Sequence, residues 1–228
     1  MNARRVVMLN NNIDNQAEMR KKLIFKLLPI VKKQGISPLR TDDIARYMDI
    51  SKATMYKYFS SKDEIIQYIV KIYAEYITSI DQTIFEETVP FGERFQKTFE
   101  QSLLIAFYIS DTFILDLKHS APVLYEQIVQ AQNERNNKLK KFYEKHIKTE
   151  VFNTINPALI LIQDDILLRK LFEPTILIQN NMTLYQALFD YYILKKQQVI
   201  HHKYKDEIDD SKMESTIQYI VQKVSNYI

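Results

Sequence analysis

Apolar residues recur every three or four positions along most of the chain, which is the spacing that gathers them on one face of an α-helix. The chain contains only 2 glycines and 6 prolines, and no Asn-Gly or Asp-Gly pair occurs that would close a two-residue hairpin. The pattern therefore predicts an all-α protein.

Four helices are predicted in the first eighty residues, and two of them are very short. Thr41 and Ser51 have the residue type of helix caps, and Ser61 followed by Glu64 forms a capping box. Gly35 is suited to end the first helix. The predicted segments are Glu18–Gln34, with Pro29 expected to kink it or to mark a weak turn, the stretch TDDIARYM from Thr41, a short helix after Ser51, and a helix from Ser61 through Tyr76.

Six further helices are predicted downstream, with prolines at the breaks between them. Their ranges are Phe91–Ser110, Asp111–His119, Pro122–Thr149, Pro157–Phe172, Thr183–Val199 and Asp209–Tyr227. The expected organisation is a flexible tail over residues 1–17, a small helical domain over 18–65 with the start of a connecting helix over 62–80, and a larger helical domain over 66–228.

The composition excludes several classes of function. Two glycines cannot form a glycine-rich phosphate loop, and the absence of cysteine removes disulfides, thiolate zinc sites and a cysteine nucleophile. The adjacent His201 and His202 have no carboxylate at metal-ligand spacing, and no hydrolase motif occurs, so we expect no catalytic residue, metal or cofactor. No apolar run reaches the roughly 18 residues of a membrane span, and the amino terminus lacks a signal-peptide core. A cytoplasmic protein without a membrane partner is therefore expected.

Charge is distributed unevenly along the chain. Residues 1–80 contain 14 Lys and Arg against 8 Asp and Glu, whereas residues 81–228 contain 17 against 20. The excess of positive charge suggests that the amino-terminal part meets a polyanion. Arg4 and Arg5 either form an arm for the minor groove of DNA or belong to a charged, disordered terminus.

A short capped helix, a tight turn at Asp49 and a second short helix have the arrangement of a helix-turn-helix. Met55 and Phe59 have the spacing to face the interior, so the other side chains of the second helix point outward. Lysines and tyrosine hydroxyls suit phosphate groups, and a threonine offers a hydroxyl and a methyl to a base edge. The residues predicted to contact DNA are Arg40, Thr41, Ser51, Lys52, Ala53, Thr54, Tyr56, Lys57, Tyr58 and, at the amino end of the next helix, Lys62.

The stretch RTDDIARYMDISKATMYKYFSSKDEI, residues 40–65, resembles the DNA-binding signature of the TetR-type transcriptional regulators. Asp49 departs from the glycine that the family usually has in the turn, but aspartate tolerates left-handed backbone better than most residues. A weaker similarity extends to about residue 200 and does not include the final helix. The matching positions are Thr41, Ile44, Ala45, Ser51, Lys52, Ala53, Thr54, Tyr56, Phe59, Lys62 and Glu64.

The resemblance implies a homodimer in which each chain carries a DNA-binding domain and a larger helical domain for ligand binding and dimerisation. It places dimer pairing on Pro157–Phe172 and Thr183–Val199, and it implies a palindromic operator in double-stranded DNA. Release by a small-molecule inducer would make the protein a repressor, and an activator stays open. The alternative is a helical protein-interaction or enzyme accessory protein whose helix-turn-helix no longer binds DNA.

Aromatic and apolar residues of the carboxy-terminal part are candidates for the inducer site, although most such residues at helical spacing belong to the core or a dimer interface. Asp111 and Asp116 interrupt an apolar stretch. We expect Asp111 to start a helix and Asp116 to face solvent, rather than either to bind a cationic ligand. The predicted ligand-binding residues are Phe99, Leu103, Phe107, Phe113, Tyr125 and Tyr143.

Overall fold

The computed structural model describes the backbone of residues 3–225 and the side chains of residues 15–224. Within that range the chain is helical, and its extended structure is an isolated bridge between Phe152 and Ile200. The helices are α1 (Ala3–Gln34), α2 (Thr41–Tyr47), α3 (Lys52–Tyr58), α4 (Lys62–Thr78), α5 (Phe91–Tyr108), α6 (Asp111–Ser120), α7 (Pro122–Lys148), α8 (Pro157–Leu171), α9 (Pro174–Gln179), α10 (Leu184–Val199) and α11 (Asp210–Ser225), with 3₁₀ segments at Gln82–Phe85 and His202–Glu207. The all-α prediction is confirmed. None of the helices in the described range is both long and apolar enough to cross a membrane.

The six helices predicted after residue 90 start within one residue of their predicted starts. Proline explains two of these starts, because Pro122 and Pro157 are the first residues of α7 and α8, where the missing N–H has no helical partner to lose. The pattern did not predict α9 or the two 3₁₀ segments, since four to six residues are too few to show a helical period.

The helix predicted over Glu18–Gln34 begins earlier, at Ala3. The flexibility expected for the tail over residues 1–17 stays a prediction. No glycine or proline precedes Pro29, and once a helix exists each added residue gains a hydrogen bond. The helix also continues through Pro29 to Gln34. The side chains of Arg4 and Arg5 lie outside the described residues, so their proposed role in a minor-groove arm stays a prediction.

The chain forms two compact units. The first contains the chain up to Tyr73 together with Asp111–Ile128, and in it α1 packs against α2 and α6 while α2 packs against α3. The predicted boundary near residue 65 therefore differs from the observed division, because α6 and the start of α7 join the helix-turn-helix. This grouping could not be predicted from the sequence, because α6 follows α3 by more than fifty residues.

The second unit contains Ala74–Ser110 and the chain from Val129 onward. Here α5 packs against α8 and α11, and α10 packs against α8 and α11. The close approach of Ile208 to α5 requires a glycine at Gly92, since a Cβ there would lie 2.9 Å from Cγ1 of Ile208. The final helix, which the resemblance left unexplained, contributes the buried side chains Met213, Ile217 and Ile220 to this core.

Candidate nucleic-acid interface

The turn between α2 and α3 is closed by three backbone hydrogen bonds. The N–H groups of Met48, Asp49 and Ile50 donate to carbonyls of α2 at 2.9, 3.0 and 3.1 Å. Asp49 has a φ of 60°, which is the left-handed conformation expected for it. The turn residue that departs from the usual glycine therefore still adopts the backbone that a glycine would provide.

Ser51 sets the start of α3. Its hydroxyl accepts a hydrogen bond from the N–H of Thr54 at 3.0 Å, which confirms the predicted cap. The same hydroxyl lies 2.8 Å from the hydroxyl of Thr54. Thr54 is half-buried, and its oxygen is thus held close to the backbone rather than fully free for a base edge.

The start of α2 differs from the prediction by one residue. Arg40, in extended backbone, occupies the capping position, and its carbonyl accepts the first helical hydrogen bond from Ile44. Thr41 is the first residue inside the helix, so its predicted capping role is wrong. The carboxylate of Asp43 accepts from the N–H of Arg40 at 3.3 Å, which is the half of a capping box in which the third helical residue bonds back to the capping residue.

One face of α3 is buried and the other is open. Met55 and the following Phe59 are fully buried, as predicted, and they pack the helix onto its neighbours in the first unit. Four residues on the opposite face are exposed and Tyr58 is half-buried. The exposed residues are Lys52, Ala53, Tyr56 and Lys57. This is the combination of two cations, an aromatic hydroxyl and a small residue that can approach a phosphate backbone closely.

The two lysines at the helix starts have partners within the protein. Lys52 forms an exposed ion pair with Asp42 at 2.9 Å, and this hydrogen bond raises the pKa of Lys52 above its usual value. Lys62 donates to the carbonyls of Ser37 and Leu39, both at 2.7 Å. Lys62 thus fixes the chain between α1 and α2, a role that sequence reasoning did not foresee. Its predicted phosphate contact stays a prediction.

The capping box at the start of α4 is formed in one of its two halves. Ser61 accepts from the N–H of Glu64 at 3.1 Å, but the Glu64 carboxylate returns to Ser60, whose N–H and hydroxyl donate to it at 2.6 and 2.8 Å. These bonds, with Arg20 of α1 as a further donor, hold the pKa of Glu64 below its usual range. The guanidinium of Arg20 also lies 4.9 Å from the ring centre of Phe59. The end of α3 is therefore tied to both α1 and α4.

The chain after α1 is held by Asp116 of α6. Gly35 has a φ of 78°, and a Cβ at this residue would lie 2.6 Å from Cγ of Asp116. Glycine is therefore required for two reasons, the left-handed backbone and the close approach of Asp116. The Asp116 carboxylate accepts from the N–H groups of Ile36 and Ser37 at 2.7 and 3.0 Å, and from the Ser37 hydroxyl. The expectation that Asp116 faces solvent is therefore wrong. Partial burial raises its pKa, but these hydrogen bonds and the nearby Lys62 outweigh that effect and lower it.

The six predicted ligand-binding residues are divided between the two units, and their role stays a prediction. Phe113 and Tyr125 belong to the first unit, whereas the other four belong to the second. Of those four, Phe99, Leu103 and Tyr143 share one buried cluster, and Phe107 is buried beside Phe172. The second unit also buries charged residues that the sequence pattern did not single out, because a charged position in a helix is ordinarily solvated. They are Arg94, Arg135, Asp164, Lys195 and Lys196.

Comparison with known proteins identifies this module. Residues 30–69, from the end of α1 into α4, match the family model of the bacterial regulatory proteins of the tetR family. The helix-turn-helix is similar to that of this family. A stretch of 68 residues, 30% of the chain, is 29% identical to the uncharacterized HTH-type transcriptional regulator YvaF of Bacillus subtilis (strain 168) and spans 35% of that protein. The sequence similarity to this relative thus covers about a third of its length.

Solved structures extend the likeness to most of the chain at the level of the fold. A transcriptional regulator of Saccharomonospora viridis in complex with choline has a TM-score of 0.65 at 14% identity, covering 82% of this chain and 100% of that one. The regulator AibR, in complex with isovaleryl coenzyme A and operator DNA, has a TM-score of 0.55 at 11% identity and covers 75% and 94%. The chain thus shares the fold of these solved structures over most of its length.

Proposed function

We propose that this TetR-type protein is a DNA-binding transcriptional regulator that recognises a palindromic operator as a homodimer and is released by a small-molecule inducer. The observation that carries the proposal is the exposed face of α3, on which Lys52, Ala53, Tyr56 and Lys57 stand over a fully buried Met55. Such a helix enters the major groove with its open face toward the bases and phosphates. In this reading Lys57 and Tyr56 bind phosphate oxygens and Ala53 allows the close approach.

The scaffold supports this role because it leaves α3 little freedom to move within the first unit. The turn bonds, the Ser51 cap, and the contact of Arg20 with Phe59 fix both ends of the short helix. A preorganised helix loses less entropy when it meets its site than a mobile one would. The exposed pair of Lys52 and Asp42 is weak in water, so Lys52 exchanges Asp42 for a phosphate at small cost.

Homodimer formation is supported by an apolar surface on the second unit. On α8, Leu159, Ile162 and Ile166 follow the spacing of one helix face and are 53–62% exposed. Leu194 of α10 is 50% exposed, and a hydrogen bond of 3.2 Å between Gln163 and Gln198 joins the two helices side by side. Burying these side chains against a second copy stabilises the dimer by about 1 kcal/mol for each half-exposed side chain. A symmetric dimer buries eight of these side chains, four from each protomer, and their combined contribution offsets the free-energy cost of association.

The dimer is tested by sedimentation of the double variant Ile162→Glu/Ile166→Glu. We expect a monomer, because two carboxylates on the apolar face of each chain would be buried against their symmetry mates. Val123→Glu, at a side chain that is 77% exposed in the first unit, is the matched control and should remain dimeric. A dimer in both variants would place the interface elsewhere.

DNA binding is tested by gel shift with the duplex that lies upstream of the protein's own gene. We expect a complex that weakens steeply with added salt, because lysines displace condensed counterions, and that weakens again when one half of the palindrome is scrambled. Half-sites centred about 34–36 Å apart would match a two-fold dimer. If no duplex from that region binds at low salt, the result would favour the alternative, a helical protein-interaction or enzyme accessory protein whose helix-turn-helix does not bind DNA.

A further inference from the structure

The five residues between α1 and the cap of α2, Gly35–Leu39, form a connector whose backbone depends on a side chain of α6. The first and last N–H groups of the connector donate to backbone carbonyls at 2.9 and 3.2 Å. Those of Ile36 and Ser37 donate instead to the carboxylate of Asp116, at 2.7 and 3.0 Å. Pro38 has no N–H. Asp116 therefore accepts from two of the four N–H groups that the connector contains.

A side chain of α4 holds the carbonyls of the same connector. The ammonium of Lys62 donates to the carbonyls of Ser37 and Leu39, both at 2.7 Å. Ser37 is thus held from two sides, since Asp116 accepts from its N–H and its hydroxyl while Lys62 donates to its carbonyl. A hydrogen bond to a charged group is stronger than one between neutral groups, and all of these bonds involve a charged side chain.

The connector is joined to the chain at both ends of the helix-turn-helix. Arg40, the residue after the connector, caps α2, and Lys62 lies three positions after Phe59, the cap at the end of α3. The buried side chains of Ile36 and Leu39 anchor the connector in the first unit, where α2 packs against both α1 and α3. Because a close-packed interior transmits a displacement, a shift of the connector moves α2 and, with it, α3.

We propose that Asp116 is a positioning residue for DNA binding, which acts through the connector to set the placement of α2 and α3 although it lies on α6. This inference rests on the proposed function and adds to it a residue outside the helix-turn-helix. The sign of the effect makes it testable. A carboxylate repels phosphate groups, so removing its charge alone would strengthen DNA binding. Positioning by Asp116 predicts weaker binding instead.

The first test compares two variants of the full-length protein that lose the same charge. Asp116→Ala removes every acceptor, whereas Asp116→Asn keeps an oxygen for the two N–H groups and an amide that can donate to the Ser37 hydroxyl. Measured by fluorescence anisotropy on the upstream duplex, Asp116→Ala should bind about tenfold more weakly than the unmodified protein, and Asp116→Asn within about threefold of it. Unchanged or tighter binding by folded Asp116→Ala, or an equal loss in both variants, would overturn the proposal.

Glu126→Ala is the matched control for the loss of one negative charge. Glu126 is an exposed residue of α7 in the same unit, and alanine suits a helix at both positions. This variant should bind the duplex as tightly as the unmodified protein or slightly more tightly. A loss as large as that of Asp116→Ala would show that the effect is not specific to the connector, and would count against the proposal.

Amide hydrogen exchange, measured without DNA, separates positioning from a general loss of stability. In Asp116→Ala the amides of Ile44 and Met55, which make the first helical bonds of α2 and α3, should exchange faster than in the unmodified protein. The amide of Tyr192, in the core of the second unit, should exchange at an unchanged rate. Equal acceleration at all three amides, or none at Ile44 and Met55, would assign Asp116 no positioning role.

If Asp116→Ala does not fold by circular dichroism, Ser37→Ala decides. It removes the hydroxyl donor of one of the three bonds at an exposed position, and should bind the duplex about threefold more weakly, with faster exchange at Ile44. Unmodified affinity in this variant would then overturn the proposal. Failure of the proposed function looks different, because the unmodified protein itself would not bind the duplex. Equal binding by the unmodified protein and all the variants contradicts only the role of Asp116.

Discussion

Replacing Asp164 by asparagine should cost the protein several kcal/mol of folding free energy. The change leaves Lys195, which is 1% exposed, without its counter-ion, while asparagine can still accept from the Tyr191 hydroxyl. Removing one partner of a buried pair costs about 3–5 kcal/mol, whereas an exposed pair contributes about 0–1 kcal/mol. Glu100→Gln, which breaks the surface pair with Lys97, is therefore the matched control. Urea unfolding followed by circular dichroism, at one fixed protein concentration, measures both.

The pH dependence of the loss in folding free energy distinguishes an effect of charge from an effect of packing. Burial lowers the pKa of Lys195, but Asp164 together with Tyr143 outweighs this effect, so that the folded-state pKa lies above its usual value. Without the Asp164 carboxylate, burial is the largest remaining influence, so we expect a lowered pKa of Lys195 in the folded variant, which then binds fewer protons than the unfolded chain. Its stability relative to the unmodified protein should then rise with pH, by up to about 1.4 kcal/mol per unit. A deficit under about 1 kcal/mol, or one that does not change with pH, would refute a charged buried pair.

Three smaller predictions concern the first unit. Asp49→Gly should leave the protein equally stable or stabilise it by up to about 1 kcal/mol, measured by urea unfolding, because glycine adopts a φ of 60° without strain. Gly35→Ala should destabilise it by about 1–2 kcal/mol from the left-handed backbone, and by more from the 2.6 Å approach to Asp116, unless that carboxylate can move away. Because the folded-state pKa of Asp116 is lowered from 3.8, its hydrogen bonds to Ser37 contribute stability above that pH and lose it as the pH falls further. Asp116→Asn should therefore show a shallower loss of melting temperature in acid than the unmodified protein, and an equal slope would contradict the assignment.

The recognition module could be predicted because its signals are local. Ser51 caps α3 by a hydrogen bond to a residue only three positions away. The residue type of Asp49 is itself compatible with the left-handed backbone of the turn. The alternation of buried Met55 and Phe59 with exposed neighbours follows from the helical period alone. Downstream, proline at the first position of α7 and α8 marks helix starts for the same local reason.

The features that could not be predicted depend on residues far apart in the sequence. Asp116 was expected in solvent because nothing near it in the chain calls for a carboxylate, yet it pairs with the amides of Ile36 and Ser37 about eighty residues earlier. In the sequence, Arg135 and Asp164 resemble ordinary solvent-exposed helix positions. They are buried because helices pack against each other there, and the hydrophobic pattern of a single helix does not indicate that packing. The start of α1 at Ala3 was missed for a different reason, since an asparagine-rich segment carries no apolar stripe.

The central claim, that the open face of α3 binds DNA, is tested most directly by the affinity of one double variant for the upstream duplex. Tyr56→Ala/Lys57→Ala removes two exposed side chains and leaves the buried Met55 in place, while Lys203→Ala removes an exposed lysine of the second unit. Fluorescence anisotropy at one fixed salt concentration should show the double variant binding about 30-fold more weakly, which corresponds to about 2 kcal/mol for two lost polar contacts. Lys203→Ala should bind like the unmodified protein. Equal affinity of the folded double variant and the unmodified protein would contradict the account.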